Sequence, residues 1–230
     1  VLVLRCDPDL DARLLASLLY EHSSRPFADA VAAVKALTDG QRRALLDELM
    51  QKRGAHDAWP IGFEGGWPFE FEVLLDFGAY RDVGRHRKGF QQQQALTTAH
   101  GYLVPPLIED AGLAGRYREV LDRAAERQRR VAERFPLAAG YVTPFAFLQR
   151  VRIVFDARQL AYFIELRSGP EGHFAYRKVA LDMFAELQRV SPLFAAFVRA
   201  QPGAAFLGRM ESEQSADERK KRRMHAAGDA

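Results

Sequence analysis

Phe69-Glu70-Phe71-Glu72-Val73-Leu74-Leu75-Asp76-Phe77 carries the clearest extended-chain pattern in this sequence. Phe69, Phe71, Val73, Leu75 and Phe77 alternate with Glu70, Glu72, Leu74 and Asp76. An extended segment so written has one apolar face and one largely polar face. The pattern predicts a strand buried on one side and ended by Gly78. Glu70, Glu72 and Asp76 then fall on the solvated face.

Upstream of this strand the periodicity is helical. Leu10, Leu14, Leu15, Leu18 and Leu19 share one face after an Asp-Pro-Asp start. A second helix is predicted over residues 26–37, with Phe27, Ala30, Val31 and Val34 inward. Thr38-Asp39-Gly40-Gln41 reads as a capping box that opens a third helix carrying Leu45, Leu46, Leu49 and Met50. Residues 54–68 are rich in Gly, Pro and Trp and must turn.

Downstream, a long helix is expected over residues 113–134, with Tyr117, Leu121, Ala124, Ala125 and Val131 as a sparse seam between Arg/Glu-rich faces. Residues 141–155 suit a strand or an irregular buried segment. Residues 159–167 read as a short helix, and 174–190 as a strong amphipathic one. Pro192 stops that helix, and a last one holds Leu193, Phe194, Phe197 and Val198. No repeat of fixed period is present. Helices before and after a few strands argue for the α+β class, a mixed sheet with surrounding helices.

Bulk properties limit the alternatives. The 230 residues are 48% hydrophobic and 27% charged, an ordinary globular balance. No run approaches the ~18 apolar residues of a membrane span. The single cysteine, Cys6, forms no internal disulfide, which suits the cytoplasm, and reads as a small packed residue. Net charge is +3. Its local source is Arg219-Lys220-Lys221-Arg222-Arg223, in a stretch without apolar periodicity. Residues 1–208 are therefore expected to form the domain and 209–230 a basic, disordered tail. Without interleaved aromatics that tail is a weak nucleic-acid signal. The start at Val1 reads as a hint of a longer polypeptide. His56, His86, His100 and His173 show no metal-ligand spacing, so no metal site is expected.

The densest polar cluster follows the strand: Arg81, Arg85, His86, Arg87 and Lys88, then Gln91 to Gln94. Guanidinium forks match phosphate oxygens in pairs, so these cations suit a phosphate; a basic surface turn is the plain alternative. The glutamines read either as amide contacts to a nucleotide or as the exposed start of a helix. A second cluster holds Arg158 and Arg167. Nine residues apart on a helix, they point to roughly opposite faces, so both approach one ligand only if the helix ends nearby. Gly169-Pro170 supplies that end.

Arg85-His86-Arg87, placed after a strand and a short bridge, resembles the Arg-His-Arg motif of flavin-dependent thymidylate synthases. Tyr141-Val142-Thr143-Pro144 resembles that family's apolar-Leu-Pro segment. Asp156-Ala157-Arg158-Gln159-Leu160 through Leu166-Arg167 is similar to its Asn-Ala-Arg-Ser-Leu … Leu-Arg signature, and Pro144 through Arg167 fits without a gap. The resemblance covers most of residues 5–200. It implies reductive methylation of dUMP to dTMP with FAD, NADPH and methylenetetrahydrofolate, in a homotetramer whose sites lie between subunits. It implies FAD contacts from Arg85, His86, Arg87 and Arg158, and nucleotide contacts from Arg167 and Gln93.

Departures from the motif cluster on the nucleotide side. The motif's serine falls on Ala95, its acidic residue on Gln93, and its arginine and tyrosine on Thr97 and Thr98. The glutamine before the motif falls on Asp82, and the second signature's asparagine on Asp156. The upstream His-Glu pair falls loosely on His56 and Glu64. A phosphate dianion needs partners on leaving water, and each charge-assisted hydrogen bond is worth about 1.5–3 kcal/mol. Losing two or three weakens nucleotide binding by several orders of magnitude, at about 1.4 kcal/mol per tenfold. The expectation is an impaired nucleotide site with the flavin cations kept, and no catalytic residue is assigned. The alternative is a non-catalytic copy that pairs with a competent synthase domain in a pseudo-tetramer.

Overall fold

The computed structural model describes residues 1–54 and 57–203, together with Gln214, Ser215, Asp217, Glu218 and Lys220. The proposed domain boundary at 208, His56 and the basic run other than Lys220 lie outside the described residues. Four strands form one sheet: β1 (Leu2–Arg5), β2 (Phe69–Asp76), β3 (Phe90–Gln93) and β4 (Leu148–Phe155). Their order is β1-β2-β4-β3. The helices are α1 (Leu10–Tyr20), α2 (Phe27–Lys35), α3 (Asp39–Met50), α4 (Phe77–Val83), α5 (Pro106–Asp110), α6 (Ala114–Arg134), α7 (Ala157–Arg167), α8 (Phe174–Val190) and α9 (Pro192–Ala195). The α+β class is as expected. Every pairing is antiparallel, so among the described residues the sheet carries no parallel pair.

β2 and β4 pair along their full length, from Phe69 against Phe155 to Asp76 against Leu148. Phe69, Phe71, Val73, Val151, Ile153 and Phe155 are fully buried on the inner face. Leu160, Ala161, Phe163 and Ile164 of α7 and Ala180, Met183 and Leu187 of α8 complete that core. Burying one such side chain contributes about 1.5–3 kcal/mol, so the doubled row of inner residues fixes the register. On the outer face Arg150 donates to Glu72 at 2.6 Å, and Arg152 pairs with Glu70 and lies over the Phe90 ring.

The strand does not end at Gly78 in a loop. Asp76 is extended, and its side chain accepts from Ala79 N at 2.8 Å, so it caps α4 directly and turns Phe77 into a helical residue. Residues 90–93 pair as an edge strand, which settles the glutamines against a helix start. The Thr38 capping box is present as read. Residues 139–155 divide into a 3-10 turn (Ala139–Val142) and β4. Among the described residues no helix is long and apolar enough to cross a membrane.

Candidate functional site

α7 leaves the central strand β4 through Asp156, whose side chain accepts from Gln159 N at 2.7 Å. That cap fixes the helix start, and with it the positions of Arg158 and Gln159. At the far end, Arg167 occupies the last helical turn before Ser168. The turn between α4 and β3 brings His86 onto this helix. His86 is 6% exposed and packs edge-on against Phe163. Arg167 Nε donates to His86 Nε2 at 2.9 Å and an Arg167 terminal nitrogen donates to Asp82 O at 3.1 Å, while its guanidinium lies over the Tyr176 ring. The Gln159 amide lies 3.1 Å from His86 Nδ1.

These contacts fix the protonation of His86. Nε2 accepts from a permanent cation, so the single ring proton sits on Nδ1; the amide atom placed against it is Gln159 Nε2, and a flip of that amide presents the carbonyl oxygen as its acceptor. Burial, and then the charge of Arg167, push the imidazole down from its ordinary 6.5 to about 4. At neutral pH His86 is an uncharged clasp from its turn to two residues of α7, which lie 73 and 81 positions further along the chain.

Along α7, from Arg158 to beyond Leu166, opens a cleft of about 710 Å³. Its wall includes Trp59, Gln159, Tyr162 and Leu166, with four cations (Arg53, Lys88, Arg158 and Arg199) and four carboxylates (Asp57, Glu64, Glu165 and Glu171). Glu64 Oε1 accepts from Arg158 at 2.6 Å and also from Lys88. Those two cations hold the Glu64 carboxyl below its usual range, the Lys88 hydrogen bond most of all. Arg53 grips Glu165 through two bonds of 3.1 and 2.7 Å, and Trp59 Nε1 donates to the same carboxylate at 3.2 Å. Arg199 adds its backbone N–H to Glu165 at 3.1 Å and its guanidinium to Gly54 O at 2.6 Å.

The structure therefore separates the predicted residues. Arg158 lines the cleft, and Lys88 joins it there. His86 and Arg167 meet behind α7, and Arg167 reaches the opposite side from Arg158, as the nine-residue spacing requires. Arg85 and Arg87 project to solvent; Arg85 stands 3.5 Å from Asp82. Gln93 is exposed on β3, at a recess of about 270 Å³ that it shares with Glu72, Arg150 and Arg152. Ala95 is exposed, whereas Thr98 Oγ1 donates to the buried Gln128 of α6 at 3.2 Å and so ties its loop to that helix. Cys6 is half-buried, and burial, then Asp11 and Asp7, push its thiol up to about 11. Sequence reasoning missed Arg53, Glu165 and Arg199. Nothing local signals them, because their partners come from segments more than 30 residues distant.

Together, a four-stranded antiparallel sheet, a helical layer on one face and an arginine-bearing helix beside a charged cleft define an α+β fold. Residues 2–193 match the family described as thymidylate synthase complementing protein. The chain belongs to that family. Among curated relatives, it is 32% identical over 209 residues to a UPF0159 protein of Chlamydia muridarum, covering 90% of this chain and 39% of that protein. It is 34% identical over 194 residues to the Chlamydia pneumoniae counterpart, covering 84% and 36%, and 32% identical over 213 residues to UPF0159 protein Ta1429 of Thermoplasma acidophilum, covering 87% and 41%. The chain thus spans about two fifths of the length of these relatives. Its fold resembles the UMP/dUMP methylase PolB of Streptomyces cacaoi, solved with 5-Br dUMP, at a TM-score of 0.63, 17% identity, and coverage of 81% of this chain and 89% of that one.

Proposed function

We propose that this chain is a flavin-dependent thymidylate synthase-like domain whose own nucleotide half-site is weakened. One observation supports the reading most directly. His86 clasps Gln159 and Arg167, so the two stretches that resemble the family's signatures form one structural unit. The donor set also fits an anionic dinucleotide: Lys88 and Arg158 converge on a single carboxylate oxygen, the kind of acceptor that a phosphate multiplies. On this reading Arg158, with Arg85 and Arg87 from the adjoining turn, would hold FAD, and His86 would hold that turn in place. Bound FAD would relay reducing equivalents from NADPH to the nucleotide, whose C5 would take its one-carbon unit from methylenetetrahydrofolate. Arg167 and Gln93 would contact dUMP, Arg167 with much of its hydrogen-bonding capacity already spent inside the chain. The working unit would be a cytoplasmic homo-oligomer, a tetramer or pseudo-tetramer, in which a neighbour completes each site.

The test is spectroscopic. Purified chain titrated with FAD should show the shifted, structured flavin bands of a bound isoalloxazine, and Arg158→Ala should weaken binding at least about tenfold, as expected for losing a charge-assisted contact. A flavin spectrum unchanged at high protein excess would overturn the reading. Ala95→Ser with Thr97→Arg should strengthen dUMP binding by calorimetry, and no change would remove the weakened half-site.

The relatives' length favours a second reading, a copy that pairs with a competent domain. More than half of each relative lies outside the matched stretch. A second Arg-His-Arg followed by its serine, in that outside sequence, would support the pairing; its absence there would count against it.

A further inference from the structure

The cleft's two converging cations are not waiting for a ligand. Lys88 and Arg158 both donate to Oε1 of Glu64. A single oxygen shared by two donors is a poor acceptor set for a guanidinium fork, which matches two oxygens of one group. A phosphate carries more charge and more oxygens than one carboxylate, and it would satisfy both donors separately.

Glu64 is placed where only its side chain can yield. It ends the 3-10 turn Ile61–Glu64, and Phe63 beside it is 1% exposed, packed on the rings of Trp59 and Phe194. A side chain at Gly62 would meet Ser17 Cβ at 2.9 Å, and one at Gly65 would meet the Trp67 ring at 2.5 Å, so the backbone on both sides is tightly enclosed. The Glu64 side chain itself is 23% exposed and Lys88 is 60% exposed. That route to water lets the carboxylate leave Lys88 and Arg158 by side-chain rotation alone, with no movement of the backbone.

We propose that Glu64 is a built-in competitor for the anionic group of the cleft's ligand: its carboxylate occupies the seat between Lys88 and Arg158 and must swing out before a phosphate-bearing ligand can enter. The device deepens the reading of the cleft as a ligand site and rests on that reading. It selects for strong anions. A neutral or singly charged group gains too little from Lys88 and Arg158 to displace Glu64, whereas a di- or pyrophosphate gains enough.

Inorganic pyrophosphate is the probe, titrated calorimetrically into the full chain at low salt. Glu64→Gln removes the competing charge with the same shape and should tighten binding about tenfold. Glu64→Ala should shift it in the same direction, which guards against a special effect of the amide. Lys88→Ala added to Glu64→Gln should abolish the gain. Glu171→Gln removes an equal charge from the same cleft and should change binding less than about threefold, since that carboxylate is not placed in the seat. Equal gains from Glu171→Gln and Glu64→Gln would reduce the effect to bulk charge and overturn the proposal. So would a lower melting temperature for Glu64→Gln with unchanged pyrophosphate binding, which is the signature of a carboxylate that merely fastens the turn. The flavin reading is judged separately: a Glu64→Gln gain for pyrophosphate without FAD binding keeps the competitor and removes the flavin, and FAD binding indifferent to Glu64→Gln does the reverse.

Discussion

His86 sits with both ring nitrogens engaged and only 6% of its surface exposed, facing the Arg167 guanidinium. A proton added to Nε2 would break the Arg167 bond and set two cations against each other. The imidazole is therefore held down at about 4 in the folded chain against 6.5 when unfolded. The unfolded chain takes up its proton first as pH drops. The stability due to neutral His86 is complete above pH about 6.5 and is lost progressively as pH falls towards 4. His86→Gln, which stays neutral, should flatten the decline in melting temperature between pH 6.5 and 4. An identical slope in both proteins would refute the assignment. His86→Ala should cost about 2–4 kcal/mol by urea unfolding at pH 7.5, because it strands Gln159 and Arg167 without a partner. The Arg-His-Arg triplet was legible in the sequence, but the direction of each side chain was not. A turn has no periodicity, so nothing local announces that the middle residue faces in while Arg85 and Arg87 face out.

At the scale of elements, the Thr38 capping box was legible in the sequence, whereas the caps at Asp76 and Asp156 were not. Asp156 differs from the asparagine of the similar signature, yet its role is to accept from Gln159 N as the N-cap of α7. Asn and Asp serve there about equally, so Asp156→Asn should be within about 0.5 kcal/mol of the parent while Asp156→Ala costs about 1 kcal/mol. Equal destabilisation by both would mean that the charge, rather than the cap, matters. Strands were legible only where one face is buried. β2 alternates cleanly, but β3 is written in glutamines and β1 is four residues of almost continuous apolar chain, so their pairing is set by β4 and β2 and not by their own pattern. β4 breaks its inner row once: Gln149 is 1% exposed, and neither amide atom has a partner among the described residues. Gln149→Met should raise the melting temperature by about 2–4 °C, the shift worth about 1 kcal/mol in a chain of this size. A fall instead would show that the amide is satisfied by buried water.

Across the whole molecule, three segments meet on Glu165: the turn after α3 through Arg53 and Trp59, helix α7 itself, and the segment after α9 through Arg199. The Arg53 side chain is 8% exposed and that of Glu165 16%, so this is a largely dehydrated pair with every carboxylate oxygen engaged. Glu165→Ala leaves Arg53 buried and unpaired and should destabilise the chain by about 3–5 kcal/mol in denaturant titration. Replacement of both residues by apolar ones of similar size should recover much of that loss. None of this was visible in sequence, since ion pairing between segments over 100 residues apart leaves no spacing to read. The same limit explains why the resemblance led to a cationic pocket: motif residues are the ones it marks, and the acids that face them lie elsewhere in the chain.

Those acids give the cleft an unexpected property. Four positive and four negative side chains on one wall cancel at a distance of a Debye length, about 8 Å at physiological ionic strength. A phosphorylated molecule diffusing nearby feels almost no pull until it touches the rim. Capture should proceed at the unsteered encounter rate, and that rate should be nearly flat between dilute and concentrated salt, unlike the steep decline of an electrostatic funnel.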